Sequence, residues 1–290
     1  VATTHLAVFG SPIDHSRSPD LHRAAYARLG LEDWDYGRRE VGEAELAGIL
    51  AGLDESWRGL SLTMPLKGES FRIAAERDEN AILTGAVNTL LLVPGEAPRG
   101  FNTDIAGIAD AVRGLVGENP LPRGGVDILG GGATAASALV AAARLGAHAV
   151  RVFARTPDRA AHLEPIADAL GITLEIRRFD QYVVAADTDL VISTLPGGAS
   201  SGIVFPADLR ARTILFDVAY SPWPSALASE WVAEGGIVVS GLEMLVRQAL
   251  IQVRIFVGHN PALPLPDEHA VLADMYAAVG LQLPATPTPS

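Results

Sequence analysis

Residues 126–145 constrain the fold most. An apolar run, Val126–Leu129, ends in Gly130-Gly131-Gly132 and passes through Ala133-Thr134-Ala135 into an alanine-rich helical run to Leu145. This is G-x-G-x-x-A in a strand–turn–helix setting. The first glycine allows a tight turn, the second lets a pyrophosphate approach the backbone, and the small third position lets helix and strand pack closely. Three glycines alone would also make a flexible turn. The strand before them and the helix after them make dinucleotide binding the stronger reading.

The alternation continues along the chain. Leu6–Phe9, Leu60–Thr63, Val87–Val93, Val126–Leu129, Ala149–Phe153, Leu190–Ser193, Ile214–Val218 and Ile237–Ser240 are strand candidates. Most are continuous Val/Ile/Leu runs, as in strands buried on both faces of a parallel sheet. Helical patterns lie between them, so the chain is read as α/β. Its 290 residues suit two domains. The expected plan is a substrate domain with a mostly parallel sheet over 1–104, a Rossmann-like dinucleotide-binding domain over 105–240, and C-terminal helices, 241–290, returning to the first domain. Helices are expected at Ser18–Leu29, with Ser18 as N-cap and Gly30 as stop, at Leu242–Val257, and at Asp267–Val279.

Composition excludes several classes. The net charge of −12 opposes binding to a phosphate backbone, so no nucleic-acid partner is expected. With no cysteine, disulfides, thiolate metal sites and a cysteine nucleophile are ruled out. The seven histidines show no metal-ligand spacing, and no metal is expected. His15 and His22 read as structural or surface residues. No long apolar run or signal-like start appears, so the expectation is a cytoplasmic chain without a membrane partner. No G-x-S-x-G elbow points to serine hydrolysis.

The cofactor type turns on the residues after Phe153. An NAD site carries an acid about 20 residues beyond the glycines. Here Ala154 is succeeded by Arg155 and Thr156, with Arg159 one turn on. Two guanidiniums suit a 2′-phosphate, so NADP is preferred. Asp158 is the alternative NAD acid, although an acid at a helix start also simply complements the dipole.

Four polar patches succeed apolar runs in the first part of the chain: SPIDHSRSPDLH, SLTMPLKGE, GAVNTL and FNTDIAG. Ligands of open α/β sheets sit outside the carboxyl ends of strands. Ser16, Ser18, Thr63, Lys67, Asn88 and Asp104 are therefore candidates to converge on a small polyhydroxylated acid. Each has a plainer reading: Ser18 as N-cap, Asn88 as a turn residue, Asp104 as cap of a helix from Ile105, and Lys67 as a solvated first-turn residue. A cation at a helix N-terminus is mildly disfavoured, which weakens the last.

The order HSRSP, SLTMPLKGE, GAVNTL, NTDIAG, LGGGATAAS, ART, GLEMLVRQA resembles shikimate dehydrogenase, over residues ~5 to ~258. The resemblance implies an NADP-dependent oxidoreductase interconverting 3-dehydroshikimate and shikimate, in aromatic amino-acid biosynthesis. It implies that Ser16 and Ser18 hold the substrate carboxylate, with the substrate-binding Thr63 of the strand end beside them and Tyr220 nearby. It makes Lys67 the catalytic lysine paired with Asp104. Asn88, Asp104 and Gln248 become the residues that bind the substrate's ring, and Gly241 and Met244 lie near the nicotinamide. Ser193 and Thr194 stand where the family has N-A-T, Ala154-Arg155-Thr156 where it has N-R-T, and Gly130-Gly131-Gly132-Ala133-Thr134 where it has G-A-G-G-A. A monomer or homodimer with a small-molecule substrate is expected. The alternatives are an NAD-preferring quinate/shikimate dehydrogenase and a catalytically silent regulatory relative. Glutamyl-tRNA reductase needs a cysteine, and methylenetetrahydrofolate dehydrogenase does not account for the H-S-x-S-P loop.

Overall fold

The computed structural model describes residues 3–117 and 121–284. They form two compact units. One comprises the described residues to Asp104 together with those from Leu245, and the other is Ile105–Met244. The second division falls inside a helix.

The first unit carries a six-stranded sheet made of β1 (Thr4–Gly10), β2 (Trp34–Glu40), β3 (Trp57–Leu62), β4 (Glu76–Arg77), β5 (Thr89–Leu91) and β6 (Arg99–Phe101). Their order is β2-β1-β3-β5-β6-β4. β1 is parallel to β2 and to β3, whereas β5 is antiparallel to both β3 and β6. The sheet is thus more mixed than the apolar runs suggest. The run from Val87 to Val93 yields only the short β5, and the few residues between β5 and β6 enforce a hairpin. Helices α1 (Ser18–Arg28), α2 (Leu46–Ala51), α3 (Lys67–Ile73) and α4 (Glu79–Thr84) lie between the strands in sequence. Phe9, Leu46, Leu60, Leu66, Val87 and Leu90, all fully buried, are part of one core.

The second unit begins with α5 (Asp104–Val116), whose first residue belongs to the first unit. It contains β7 (Gly125–Leu129), α6 (Ala133–Arg144), β8 (Ala149–Ala154), α7 (Glu164–Leu170), β9 (Thr173–Arg178), β10 (Thr188–Ser193), α8 (Ala207–Arg212), β11 (Ile214–Asp217), α9 (Ala226–Ala233) and β12 (Ile237–Ser240). The sheet order is β12-β11-β10-β7-β8-β9, and every pairing is parallel. Counted from β7, this is the 3-2-1-4-5-6 order of a doubly wound dinucleotide fold, which reverses between β7 and β10.

Helix α10 (Gly241–Gly258) starts in the second unit and ends in the first, and α11 (Glu268–Ala278) comes after it. Against the first sheet α10 sits very close. A Cβ on Gly59 of β3 would lie 2.4 Å from the Phe256 ring, so only glycine fits there. Arg28 of α1 pairs with Asp274 of α11 at 2.6 Å.

Two helix starts differ from expectation. Arg17, not Ser18, occupies the N-cap of α1, and no side chain caps it. The Ser18 amide instead donates to Ser16 Oγ. Asp104 does not cap α5 from outside but is its first residue, and its own amide donates to Asn102 Oδ1 at 3.0 Å. Its carboxylate is thereby left for other partners.

Candidate active site

In the first unit, β1 and β3 end side by side. Thr63 N donates to Phe9 O at 3.0 Å and Ser11 N to Met64 O at 2.9 Å. The loop after β1 therefore runs beside the turn after β3. In that loop Ser16 and Ser18 are both buried. Arg38 of β2 steadies it, with Nη1 donating to Asp14 O at 2.5 Å and Ser16 O at 3.2 Å. Thr63 is half-buried just beyond β3.

The turn delivers Lys67 to the first position of α3, the only lysine in a chain with 21 arginines. A cation there opposes the helix dipole, and an anion beside it offsets the cost. Asp104 is that anion. Lys67 Nζ lies 2.5 Å from Asp104 Oδ2, with side chains only 13% and 6% exposed. Asp104 also sits at the start of α5, where an acid is favoured.

Asn88 holds the other carboxylate oxygen, its Nδ2 donating to Asp104 Oδ1 at 2.8 Å. The amide's orientation is set by its neighbours. Thr103 N can only donate, and it meets Asn88 Oδ1 at 3.0 Å, so Nδ2 must face Asp104. Asn88 Nδ2 also donates to Thr103 Oγ1 at 2.9 Å, and Thr103 Oγ1 donates to Gln248 Oε1 of α10 at 3.2 Å. Lys67, Asp104, Asn88 and Gln248 are thus joined directly, with Thr103 as a member that sequence reading missed. No described hydrogen bond joins Ser16, Ser18 or the Thr63 side chain to this set. Tyr220 belongs to the other unit.

In the second unit, Gly130 adopts φ +109, and a Cβ there would lie 2.4 Å from Thr194 Oγ1. The loops after β7 and β10 meet at this point: Thr194 donates through both N and Oγ1 to Leu129 O at 2.8 Å. A Cβ on Gly131 would lie 2.8 Å from that of Ala160, whereas one on Gly132 would meet nothing within 4 Å. Gly132 is the N-cap of α6, without a side-chain cap. Among the described residues, the amides of Gly131, Gly132, Ala133 and Thr134 have no backbone partner. Ala135, fully buried, closes the helix against the strand.

Beyond β8, Arg155 and Arg159 are exposed, with Thr156 between them at the start of a short 3₁₀ turn. Among the described residues neither guanidinium has an ion pair or hydrogen bond. Uncapped amides at a helix start and two free guanidiniums one strand away fit a dinucleotide bearing an extra phosphate.

At the ends of β10 and β11, Ser193 is buried and hydrogen-bonds Asp217. Asp217 Oδ2 accepts from Ser225 Oγ at 2.6 Å and Oδ1 from Ala219 N at 3.2 Å, anchoring the loop that carries Tyr220. Burial pushes the Asp217 carboxyl above its ordinary range. Gly241, which opens α10, lies against the Val218 carbonyl where a Cβ would reach within 2.0 Å, and Met244 is nearly buried one turn on.

No group of three or more His, Asp or Glu side chains able to hold a metal occurs among the described residues. None of the described helices is long and apolar enough to cross a membrane.

Comparison with known proteins identifies the family. Residues 8–90 match the family model of the shikimate dehydrogenase substrate binding domain. The shikimate dehydrogenase (NADP(+)) of Methanocella arvoryzae is 33% identical, over 92% of this chain and 98% of that protein. The crystal structure of Mycobacterium tuberculosis shikimate dehydrogenase is 39% identical, with a TM-score of 0.79, covering 94% of this chain and 99% of that one. The Thermus thermophilus shikimate 5-dehydrogenase, solved with NADP(H) and shikimate, is 30% identical with a TM-score of 0.76, covering 95% and 100%. The chain belongs to the shikimate dehydrogenase family.

Proposed function

We propose that this chain interconverts 3-dehydroshikimate and shikimate with NADP(H), in the cytoplasm, as a step of aromatic amino-acid biosynthesis. The observation that carries the reading is the Lys67–Asp104 pair, held on its far side by Asn88. An intact pair of this kind argues against a silent regulatory relative.

Ser16, Ser18 and Thr63 are assigned to the substrate carboxylate, with Tyr220 contributing. Their hydroxyls donate without adding charge. Asn88, Asp104 and Gln248 are assigned to the ring hydroxyls. The amides of Gly131–Thr134 are assigned to the pyrophosphate, and Arg155, Thr156 and Arg159 to the 2′-phosphate. Ser193, Thr194, Gly241 and Met244 are assigned to the nicotinamide side of the cofactor site.

The bound nicotinamide supplies the hydride in one direction and accepts it in the other. Lys67 handles the proton. In reduction its Nζ gives a proton to the oxygen becoming a hydroxyl, and its charge stabilises the developing alkoxide. In oxidation Nζ takes that proton back. Asp104 holds Nζ in place and accepts from the substrate. With one oxygen committed to Asn88, the carboxylate cannot swing away from the lysine.

The test is oxidation of shikimate by the purified protein, monitored through nicotinamide absorbance, with quinate and NAD⁺ as competing arms. The highest kcat/KM is expected with shikimate and NADP⁺. Preference for quinate or NAD⁺ would move the assignment to the quinate/shikimate enzyme, with Asp158 as the ribose acid. No turnover with either acid would overturn it.

A further inference from the structure

We propose that Gln252, acting with His22 and Thr89, is a positioning residue that sets which way the amides of Asn88 and Gln248 face. Its kinetic consequence rests on the proposed shikimate activity; its structural consequence does not.

Gln248 and Gln252 are one helical turn apart on α10, so they share a face. Gln252 is fully buried between β3 and β5. Its Oε1 accepts from Ser61 Oγ at 2.8 Å, and its Nε2 donates to Thr89 Oγ1 at 2.9 Å and to Asn88 O at 3.3 Å. Ser61 and Thr89 are themselves a cross-strand pair.

Donor and acceptor roles then run in one direction only. Tyr36 OH donates to Ser61 Oγ at 2.6 Å, so the Ser61 proton goes to Gln252 Oε1. His22 Nε2 lies 3.2 Å from the same oxygen and must carry the proton, leaving Nδ1 to accept from Tyr26 OH at 3.1 Å. Burial keeps this imidazole neutral, lowering it to about 3, and it is stacked on Tyr36 at 3.9 Å. With Oε1 fixed as the acceptor, Nε2 must point at Thr89. Thr89 Oγ1 passes its own proton to Asn88 Oδ1 at 2.9 Å. Asn88 Nδ2 therefore faces Asp104 and Thr103, and Thr103 donates on to Gln248 Oε1. Gln248 Nε2 donates to Leu245 O at 3.0 Å and keeps a second hydrogen to offer. Reversing Gln252 would break the sequence at Thr89 and remove one of the two donors that fix Asn88.

Three variants test this: Gln252→Leu, Thr89→Val and Thr89→Ser. Thr89→Val keeps shape and strand preference but deletes the hydroxyl. KM for shikimate is expected to rise roughly 5- to 150-fold in Gln252→Leu and Thr89→Val, the span for leaving a buried polar group unpaired. KM for NADP⁺ should stay near wild type, and Thr89→Ser should recover most of the loss. In the free protein, the Asn88 and Gln248 side-chain NH₂ resonances should shift and exchange faster in the first two variants. If Gln252→Leu does not fold, the Thr89 pair carries the test. Should the wild type not use shikimate, the functional reading fails, and the NH₂ resonances still judge the positioning role. Folded variants with shikimate KM within twofold of wild type and unchanged NH₂ signals would overturn the proposal.

Discussion

The Lys67 cluster and the glycine loop are made of different materials. Around Lys67 the recognising groups are mostly side chains, and Asn88 spends its donors and acceptors on Asp104, Thr103 and Thr89. At the glycine loop the working groups are backbone amides, and the side chains matter mainly by being small. A site of the first kind depends on the identity of each atom. A site of the second kind depends on backbone path, so its sequence can drift within small residues. Gly130-Gly131-Gly132-Ala133-Thr134 is accordingly a run of small residues, whereas each polar side chain of the Lys67 cluster has a named partner.

The contrast can be broken by mutation. Lys67→Ala should lower kcat by about 10²- to 10⁴-fold, the usual worth of a positioned proton donor, with a smaller effect on shikimate KM. Steady-state kinetics with wild-type-like kcat would sink the role given to the lysine. Arg155→Ala and Arg159→Ala should each raise KM for NADP⁺ by about 10- to 150-fold, the worth of a hydrogen bond to a charged group, and leave KM for NAD⁺ unchanged. Equal losses with both cofactors would break the 2′-phosphate assignment.

The glycines sharpen the same comparison. A methyl at Gly132 meets no protein atom, so Gly132→Ala should keep its thermal stability within about 0.5 kcal/mol of wild type yet weaken NADP⁺ binding. Gly131→Ala collides with Ala160 and should lose about 1–3 kcal/mol of stability. Calorimetry with and without NADP⁺ separates the two effects. If both variants behave alike, the loop is not reading backbone space.

A last test addresses the side-chain region through pH. Neutral His22 takes up its proton near pH 3 in the folded state but near pH 6.5 when unfolded. The unfolded chain therefore binds more protons across that window, and stability falls as pH falls through it, at up to about 1.4 kcal/mol per unit. Urea unfolding at about pH 7 and about pH 5 should show wild type losing about 2 kcal/mol more than His22→Phe. Parallel losses would mean His22 is not held neutral.

The central strands and the glycine turn were readable because strands buried on both faces are continuous apolar runs. The edge strands β2, β4 and β9 and the three-residue interior strand β6 escaped notice. Trp34–Glu40 and Thr173–Arg178 each have one open side, and their sequences are correspondingly polar. Motif order was enough to select Lys67, Asp104, Asn88 and Gln248. Gln252 and Thr103 were missed because their roles exist only through contacts between elements distant in sequence; His22, read as structural or surface, is a buried partner of Gln252. The spacing of Gln252 four residues after Gln248 was the one available signal. Ser18, expected as an N-cap, is instead the first residue of α1, with its own amide donating to Ser16 Oγ; capping, the plainer reading of Asp104, fails in the same way, because Asp104 is the first residue of α5 and its amide donates to Asn102 Oδ1.

With one lysine and 21 arginines, this protein carries a single ε-amine. Isotope-labelled lysine would therefore give one side-chain signal, and its titration would report Lys67 without any assignment experiment. Amine-reactive dyes, crosslinkers and coupling resins would also find, apart from the chain's terminal amine, no target except the centre of the Asp104 cluster. Attachment chemistry meant to be harmless would on this molecule fall on the amine paired with Asp104.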